Sequence, residues 1–195
     1  MKTLYAADLA SDAVLLCWLV WGVYWIISSR TAKQKAERQS ARSRAGYFVF
    51  TVAGFILLTS NTSHVYPLKK RVVPQTFAFA LAGAIVCILG TIFTLWARRI
   101  IADNWSSDVA FKRGHELVEK GPYSVVRHPI YTGMLIMVLG TAIVAGALAQ
   151  IVAIVFVFVG FWIKMKQEEA LLVTHFPNEY PAYQKRTKRI IPFVL

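Results

Sequence analysis

The sequence predicts an all-α integral membrane protein, a helical bundle of about five transmembrane helices. Three observations predict it. Hydrophobic residues make up 56% of the 195 positions and charged residues only 16%, where a soluble domain carries roughly a quarter charged. The mean hydropathy is +0.50, and the apolar residues gather in long runs instead of alternating with polar ones. The 22 Lys and Arg residues lie beside those runs, on alternate sides.

The first run, Ala13 to Ile27, follows Asp8 and Asp12 and precedes Arg30, Lys33, Lys35, Arg38, Arg42 and Arg44. A cleavable signal would carry its positive charge first, so this run reads as a retained span with its N-terminus outside. The second covers Tyr47 to Ser60. Pro67 to Pro74 forms a turn carrying Lys69, Lys70 and Arg71. The third run, Gln75 to Trp96, is closed by Arg98 and Arg99.

The fourth and fifth runs, Tyr131–Val144 and Gln150–Ile163, are separated by Ala145-Gly146-Ala147. Each is about 14 residues, roughly 21 Å of helix, and a full span needs about 20 residues. They read as a helical hairpin, 131–163, whose ends extend into the flanking polar segments. A helical pattern continues the fifth run through 164–175, and Phe176-Pro177-Asn178 ends it.

With the N-terminus outside, segments 30–46, 98–130 and 164–195 fall inside and hold 18 of the Lys and Arg residues, leaving four outside. The positive-inside rule supports that orientation, with the C-terminus cytoplasmic. Lys69-Lys70-Arg71 runs against it. Two regions follow: 1–97, three helices with the basic loop 30–46, and 98–195, a core containing the hairpin and both inner polar segments.

The net charge of +12 does not indicate nucleic acid, because the basic residues border apolar spans and mark topology and attraction to anionic lipid. Cys17 and Cys87 fall inside apolar runs and read as small hydrophobes. No Gly-x-Gly-x-x-Gly, Gly-Lys-Ser/Thr loop or His-Glu-x-x-His occurs, and no Cys/His cluster has metal spacing. A doubly wound nucleotide fold is excluded by the lack of alternating strands and helices.

The chemistry concentrates where polar chain enters the hairpin. Gly121-Pro122-Tyr123 and Arg127-His128-Pro129-Ile130-Tyr131 place donors and aromatic surface at a membrane boundary, where unpaired polar groups cost desolvation energy. Pro129 suits a first helical turn, whose N–H groups and dipole favour an anion. The hairpin returns Lys164, Glu168 and Glu169 to the same membrane face. Together these offer donors for a carboxylate and acceptors for an amine or ribose hydroxyls, with Leu117 and Val118 as an apolar wall. The blander alternative is an Arg127 anchor, an interfacial tyrosine belt and an exposed Lys164–Glu168 helix pair. His64 and His175 read as ordinary histidines, and Trp18, Trp21, Trp25 and Trp96 as belt or packing residues.

Asn104-Trp105-Ser106, Gly114-His115-Glu116-Leu117-Val118, Gly-Pro-Tyr at 121–123 and Arg-His-Pro-Ile-Tyr-Thr-Gly at 127–133 resemble the isoprenylcysteine carboxyl methyltransferase family. So do Glu168-Glu169, Phe176-Pro177, Glu179-Tyr180, Tyr183, Arg186-Thr187 and Ile191-Pro192-Phe193. The resemblance covers about 90–195. It implies an all-helical membrane enzyme using S-adenosylmethionine, with a cytoplasmic-side cofactor pocket formed by the last two spans and flanking segments. Carried over from the family, the cofactor-binding residues are His115, Glu116, Leu117, Val118, Tyr123, His128, Pro129, Ile130, Tyr131 and Glu168. Eukaryotic members place an arginine four residues before that glutamate to meet the substrate carboxylate; here it is Lys164, which keeps the charge without the bidentate fork.

The expected reaction is methyl transfer to a lipophilic acceptor, most simply a carboxylate, with Arg127, His128 and Glu169 as the catalytic candidates. A carboxylate is already ionised near neutral pH and needs no base. An amine or thiol acceptor would draw on His128 or Glu169. Alternatives are a phospholipid N-methyltransferase, an NADPH-dependent membrane reductase of the sterol-reductase kind, and a small membrane scaffold. The expected partners are the bilayer and a lipophilic or lipidated acceptor, with no nucleic acid and no metal. The expected location is multi-pass in the membrane, the inner membrane of a bacterial host or the endoplasmic reticulum of a eukaryotic one.

Overall fold

The structure is a computed structural model and describes residues 2–29, 41–60, 65–105 and 117–194. Among the described residues there are six α-helices: α1 (Lys2–Ser29), α2 (Ala41–Thr59), α3 (Phe77–Ile101), α4 (Pro129–Ala145), α5 (Leu148–His175) and α6 (Glu179–Arg186). Among the described residues there is no strand, only two isolated bridges.

α1, α3 and α5 are long and apolar enough to cross a membrane, whereas α2 and α4 contribute shorter apolar helices. Each apolar run forms the expected helix, and α5 extends through the polar segment to His175 as the hairpin reading requires. α4 extends only slightly, starting at Pro129, two residues before Tyr131, and stopping after 17 residues, because Pro129 opens the helix and Gly146 closes it at φ 74°.

α1 and α3 show the surface of helices made for lipid. Leu15, Leu16, Leu19, Ile85, Leu89 and Ile92 all point outward, and a helix apolar all round is at home in a membrane or a core. Inward faces carry small residues. A Cβ at Gly90 of α3 would lie 2.7 Å from the Met137 amide nitrogen and 2.8 Å from the Gly133 carbonyl of α4. In lipid, small residues let backbones approach and gain dispersion energy. α4 packs chiefly on α3, α2 on α5, and α1 over α3 and α4. Cys17 and Cys87 are free, buried and part of this packing.

At one end of the bundle the 67–73 turn clasps the α4–α5 tip. The amides of Val72 and Val73 donate to the Gly146 carbonyl at 2.9 and 3.1 Å, and those of Leu148 and Ala149 donate to the carbonyls of Lys70 and Leu68 at 2.8 and 3.1 Å. At the other end, the chain after α6 folds back on the start of α4. The Arg127 amide donates to the Lys188 carbonyl at 2.8 Å and the His128 amide to the Arg189 carbonyl at 3.0 Å.

Candidate functional site

α5 carries its polar residues on a face that begins apolar. Buried positions Ala153, Val157, Phe161, Met165 and Glu169 recur every four residues, so Glu169 ends an inward stripe and enters the bundle as a carboxylate. A buried carboxylate is tolerated when paired and hydrogen-bonded. Arg127 Nε donates to its Oε1 at 2.9 Å, Arg189 donates from Nε to Oε1 at 3.0 Å and from Nη2 to Oε2 at 2.7 Å, and Gln184 Nε2 donates to Oε2 at 3.2 Å. Both oxygens are committed. Glu169 therefore ties α5 to the entry of α4 and to the C-terminal segment.

His128 spans the two carboxylates. Its Nε2 is 3.2 Å from Glu169 Oε1 and its Nδ1 3.5 Å from Glu168 Oε2. A neutral ring carries an N–H toward one of them at most; only an imidazolium carries an N–H toward each. Glu168 in turn accepts from the Tyr131 hydroxyl at 2.7 Å, and Lys164 Nζ lies 4.0 Å from its Oε1, one helical turn back. Arg127, His128, Tyr131, Lys164, Glu168 and Glu169 thus meet at one end of the bundle. Pro129 and Ile130 are buried at the start of α4.

Tyr123 is buried beside this cluster, and its carbonyl accepts from the Tyr183 hydroxyl at 2.6 Å. Burial pushes the phenols of Tyr123, Tyr180 and Tyr183 above their ordinary value, so they remain neutral donors at physiological pH. Val118 packs against the core cluster and Leu117 is half-buried. His115, Glu116 and His64 lie outside the described residues. His175 contacts the Leu171 carbonyl at 2.9 Å, one turn back on its own helix.

A cavity of about 530 Å³ opens from this cluster into the apolar bundle, between α1, α2, α4 and α5, walled by Trp18, Trp21, Trp25, Phe55, Trp105 and Phe161. That volume falls among small-molecule sites. Tyr131 and Lys164 also line it, and the Lys164 ammonium lies 5.3 Å from the Tyr47 ring centroid and 5.7 Å from that of Tyr131. Trp18, Trp21 and Trp25, read from the sequence as belt or packing residues, do pack against the core cluster, and they also line this cavity. Their spacing of three and four puts all three indoles on one face of α1, and that face walls the cavity. Trp96, by contrast, is exposed.

Sequence reasoning also missed Arg98, Arg189 and Gln184. Arg98 is buried; its guanidinium donates to the Ser28 carbonyl of α1 at 2.6 Å and lies 4.6 Å from the Trp105 ring centroid. Arg189 and Gln184 had no local signal, because their partner Glu169 is joined to them only through the fold.

Helices long and apolar enough to cross a membrane, with a buried polar cluster at one end and an aromatic-walled cavity beside it, mark an integral membrane protein with a candidate internal site. A family model described as PEMT, phospholipid methyltransferase, matches residues 78–179, slightly more than half of the chain, and the chain belongs to that family. It is 36% identical over 94 residues to the protein-S-isoprenylcysteine O-methyltransferase of Schizosaccharomyces pombe, covering 47% of this chain and 40% of that protein. It is 30% identical over 115 residues to protein-S-isoprenylcysteine O-methyltransferase B of Arabidopsis thaliana, covering 57% and 58%. The chain thus spans about half the length of these curated relatives. In fold it is similar to the solved structure of a eukaryotic intramembrane Ras methyltransferase, ICMT, with a TM-score of 0.53 and 21% identity over 82% of this chain and 55% of that one.

Proposed function

We propose that this protein is a membrane methyltransferase that takes S-adenosylmethionine at the Tyr131–Glu168–His128 end of the bundle and a lipophilic carboxylate in the adjoining cavity. The observation that carries the reading is the Lys164 ammonium: it lies in an aromatic-walled cavity, 4.0 Å from the same Glu168 that accepts from Tyr131.

The residues present fit the cofactor. Glu168 is an acceptor for an ammonium or ribose hydroxyls, Tyr131 fixes its orientation, and Leu117 and Val118 supply apolar surface for a base. Tyr123, His128, Pro129 and Ile130 complete the described part of the holding set, and His115 and Glu116 are assigned to it on the family resemblance. When bound, S-adenosylmethionine supplies an electrophilic methyl group on its sulfonium.

The remaining work falls to the chain. Lys164 attracts an anionic acceptor and orients it. The Trp and Phe walls exclude water, which leaves a carboxylate less hydrated and more nucleophilic. Arg127 and Glu169 act as positioning residues, since both oxygens of Glu169 are already bonded and Arg127 also donates from Nη1 to the Thr187 carbonyl at 2.5 Å. His128 holds both carboxylates in register. Alignment supplies the rate, because an ionised acceptor gives up no proton.

Lys164 also ranks the acceptors. An aminophospholipid arrives as an ammonium and meets a like charge there, which costs rather than stabilises. The orientation that accompanies the proposal is five membrane helices, N-terminus outside and site facing the cytoplasm.

The test is methyl transfer from labelled S-adenosylmethionine to N-acetyl-farnesylcysteine and to phosphatidylethanolamine, with calorimetric binding of S-adenosylhomocysteine and of NADPH alongside. Base-labile methyl ester on the thioether acid is the expected product. Transfer to the amine alone would move the assignment to N-methylation. NADPH binding without S-adenosylhomocysteine binding would overturn the proposal.

A further inference from the structure

We infer that the Lys69-Lys70-Arg71 turn, at the end of the bundle remote from Glu169, is a docking site for anionic phospholipid headgroups. The three residues are consecutive and exposed. They belong to the turn that clasps the α4–α5 tip, and residues 68–73 make that clasp with backbone groups: the carbonyls of Leu68 and Lys70 accept from α5, and the amides of Val72 and Val73 donate to Gly146, while Gln75 beyond them adds a side-chain bond to the Val144 carbonyl at 3.5 Å. Any side chains at 69–71 would satisfy those bonds. The fold therefore does not account for three cations in a row.

The surroundings have the shape of a membrane surface. Tyr66 is 78% exposed on one side of the turn, and tyrosine favours the headgroup level; Phe77, 59% exposed on the other side, adds apolar surface. Beside them runs a groove of about 490 Å³ lined by Arg71, Val72, Val73, Pro74 and Gln75. It offers the Arg71 guanidinium to a phosphate, and apolar surface to the glycerol and first methylenes below it. Arg71 suits phosphate through its planar fork, and the lysines add point charges.

The backbone clasp makes the turn rigid, so little side-chain ordering opposes binding beyond the three cations themselves. A basic residue held at an anionic surface strengthens binding by roughly fivefold. The same attraction explains how a basic turn persists on the face where the positive-inside rule disfavours it.

The experiment is native mass spectrometry of the full chain released from detergent, titrated with phosphatidylglycerol and with phosphatidylcholine. The wild type is compared with K69Q/K70Q/R71Q. Phosphatidylglycerol is expected to bind at least about tenfold more tightly than phosphatidylcholine. The triple variant is expected to lose most of that preference while keeping its phosphatidylcholine binding. An unchanged preference in the variant would overturn the inference. So would displacement of the lipid by inorganic phosphate or by RNA at equal charge concentration. Should the variant not fold, the wild type alone decides. Raising NaCl from 50 to 500 mM must weaken phosphatidylglycerol binding, and lipid binding insensitive to salt would overturn the inference as well.

Discussion

Arg189 grips Glu169 with both arms of its guanidinium, Nε to Oε1 at 3.0 Å and Nη2 to Oε2 at 2.7 Å. This fork closes a loop that runs from α5 through α6 and back. It holds the C-terminal segment against the start of α4, where Thr132 Oγ1 also donates to the Ile190 carbonyl at 2.8 Å. Removing the carboxylate leaves Arg127 and Arg189 without their shared anion in a buried place. Glu169→Gln is therefore expected to cost about 3–5 kcal/mol. Arg189→Lys, which keeps the charge and loses the fork, should cost about 1–2 kcal/mol. Thermal unfolding in detergent measures both, and equal melting temperatures for the two variants would refute the ranking.

The α3–α4 contact depends on the absence of a side chain at Gly90. A methyl group there meets the backbone of α4 at 2.7 Å, and backbone cannot swing aside as a flexible side chain would. Gly90→Ala should lower stability by about 1–3 kcal/mol, even though alanine is the better helix former. A neutral or stabilising result would show that α4 shifts freely.

Tyr131→Phe removes the hydroxyl that holds Glu168 and leaves the ring in place. The hydrogen bond ends on a charged acceptor, so the loss is about 1.5–3 kcal/mol, read as a roughly 10- to 100-fold weaker S-adenosylhomocysteine affinity by calorimetry. Unaltered affinity in a folded variant would detach the cofactor from this end of the bundle.

Lys164 is expected to act on the acceptor and not on the cofactor. Lys164→Met should raise the KM for a thioether carboxylate by about tenfold or more, while Lys164→Arg retains activity. S-adenosylhomocysteine binding should change little in either. A rise in cofactor Kd matching the rise in KM would place Lys164 on the wrong ligand.

The helices were legible because each apolar run is long, bounded by charge and free of β-type alternation. The meeting of Arg127-His128 with Glu168-Glu169 was legible too, since a tight hairpin must return α5 to the level where α4 began. The Glu169 ring was only half legible: Arg127 lies two residues before α4, but Arg189 and Gln184 reach the carboxylate through the turns flanking α6, which no local pattern encodes. The three tryptophans of α1 were visible as a helix face, yet an interfacial belt has the same composition. Only the packing of α1 over α3 and α4, beside a gap filled by neither α2 nor α5, assigns that face to a cavity. Arg98 looked like the charged end of a span and proved to be the buried cation joining α1 to α3.

The shortness of α4 bears on where the two reactants meet. Its 17 residues give about 25 Å of helix, some 5 Å less than the hydrocarbon thickness. Under the proposed reading, the polar cluster at its start would lie below the headgroups, at the depth of an oily acceptor's tail. The water-soluble donor would then make the descent, and the acceptor would not leave its own phase.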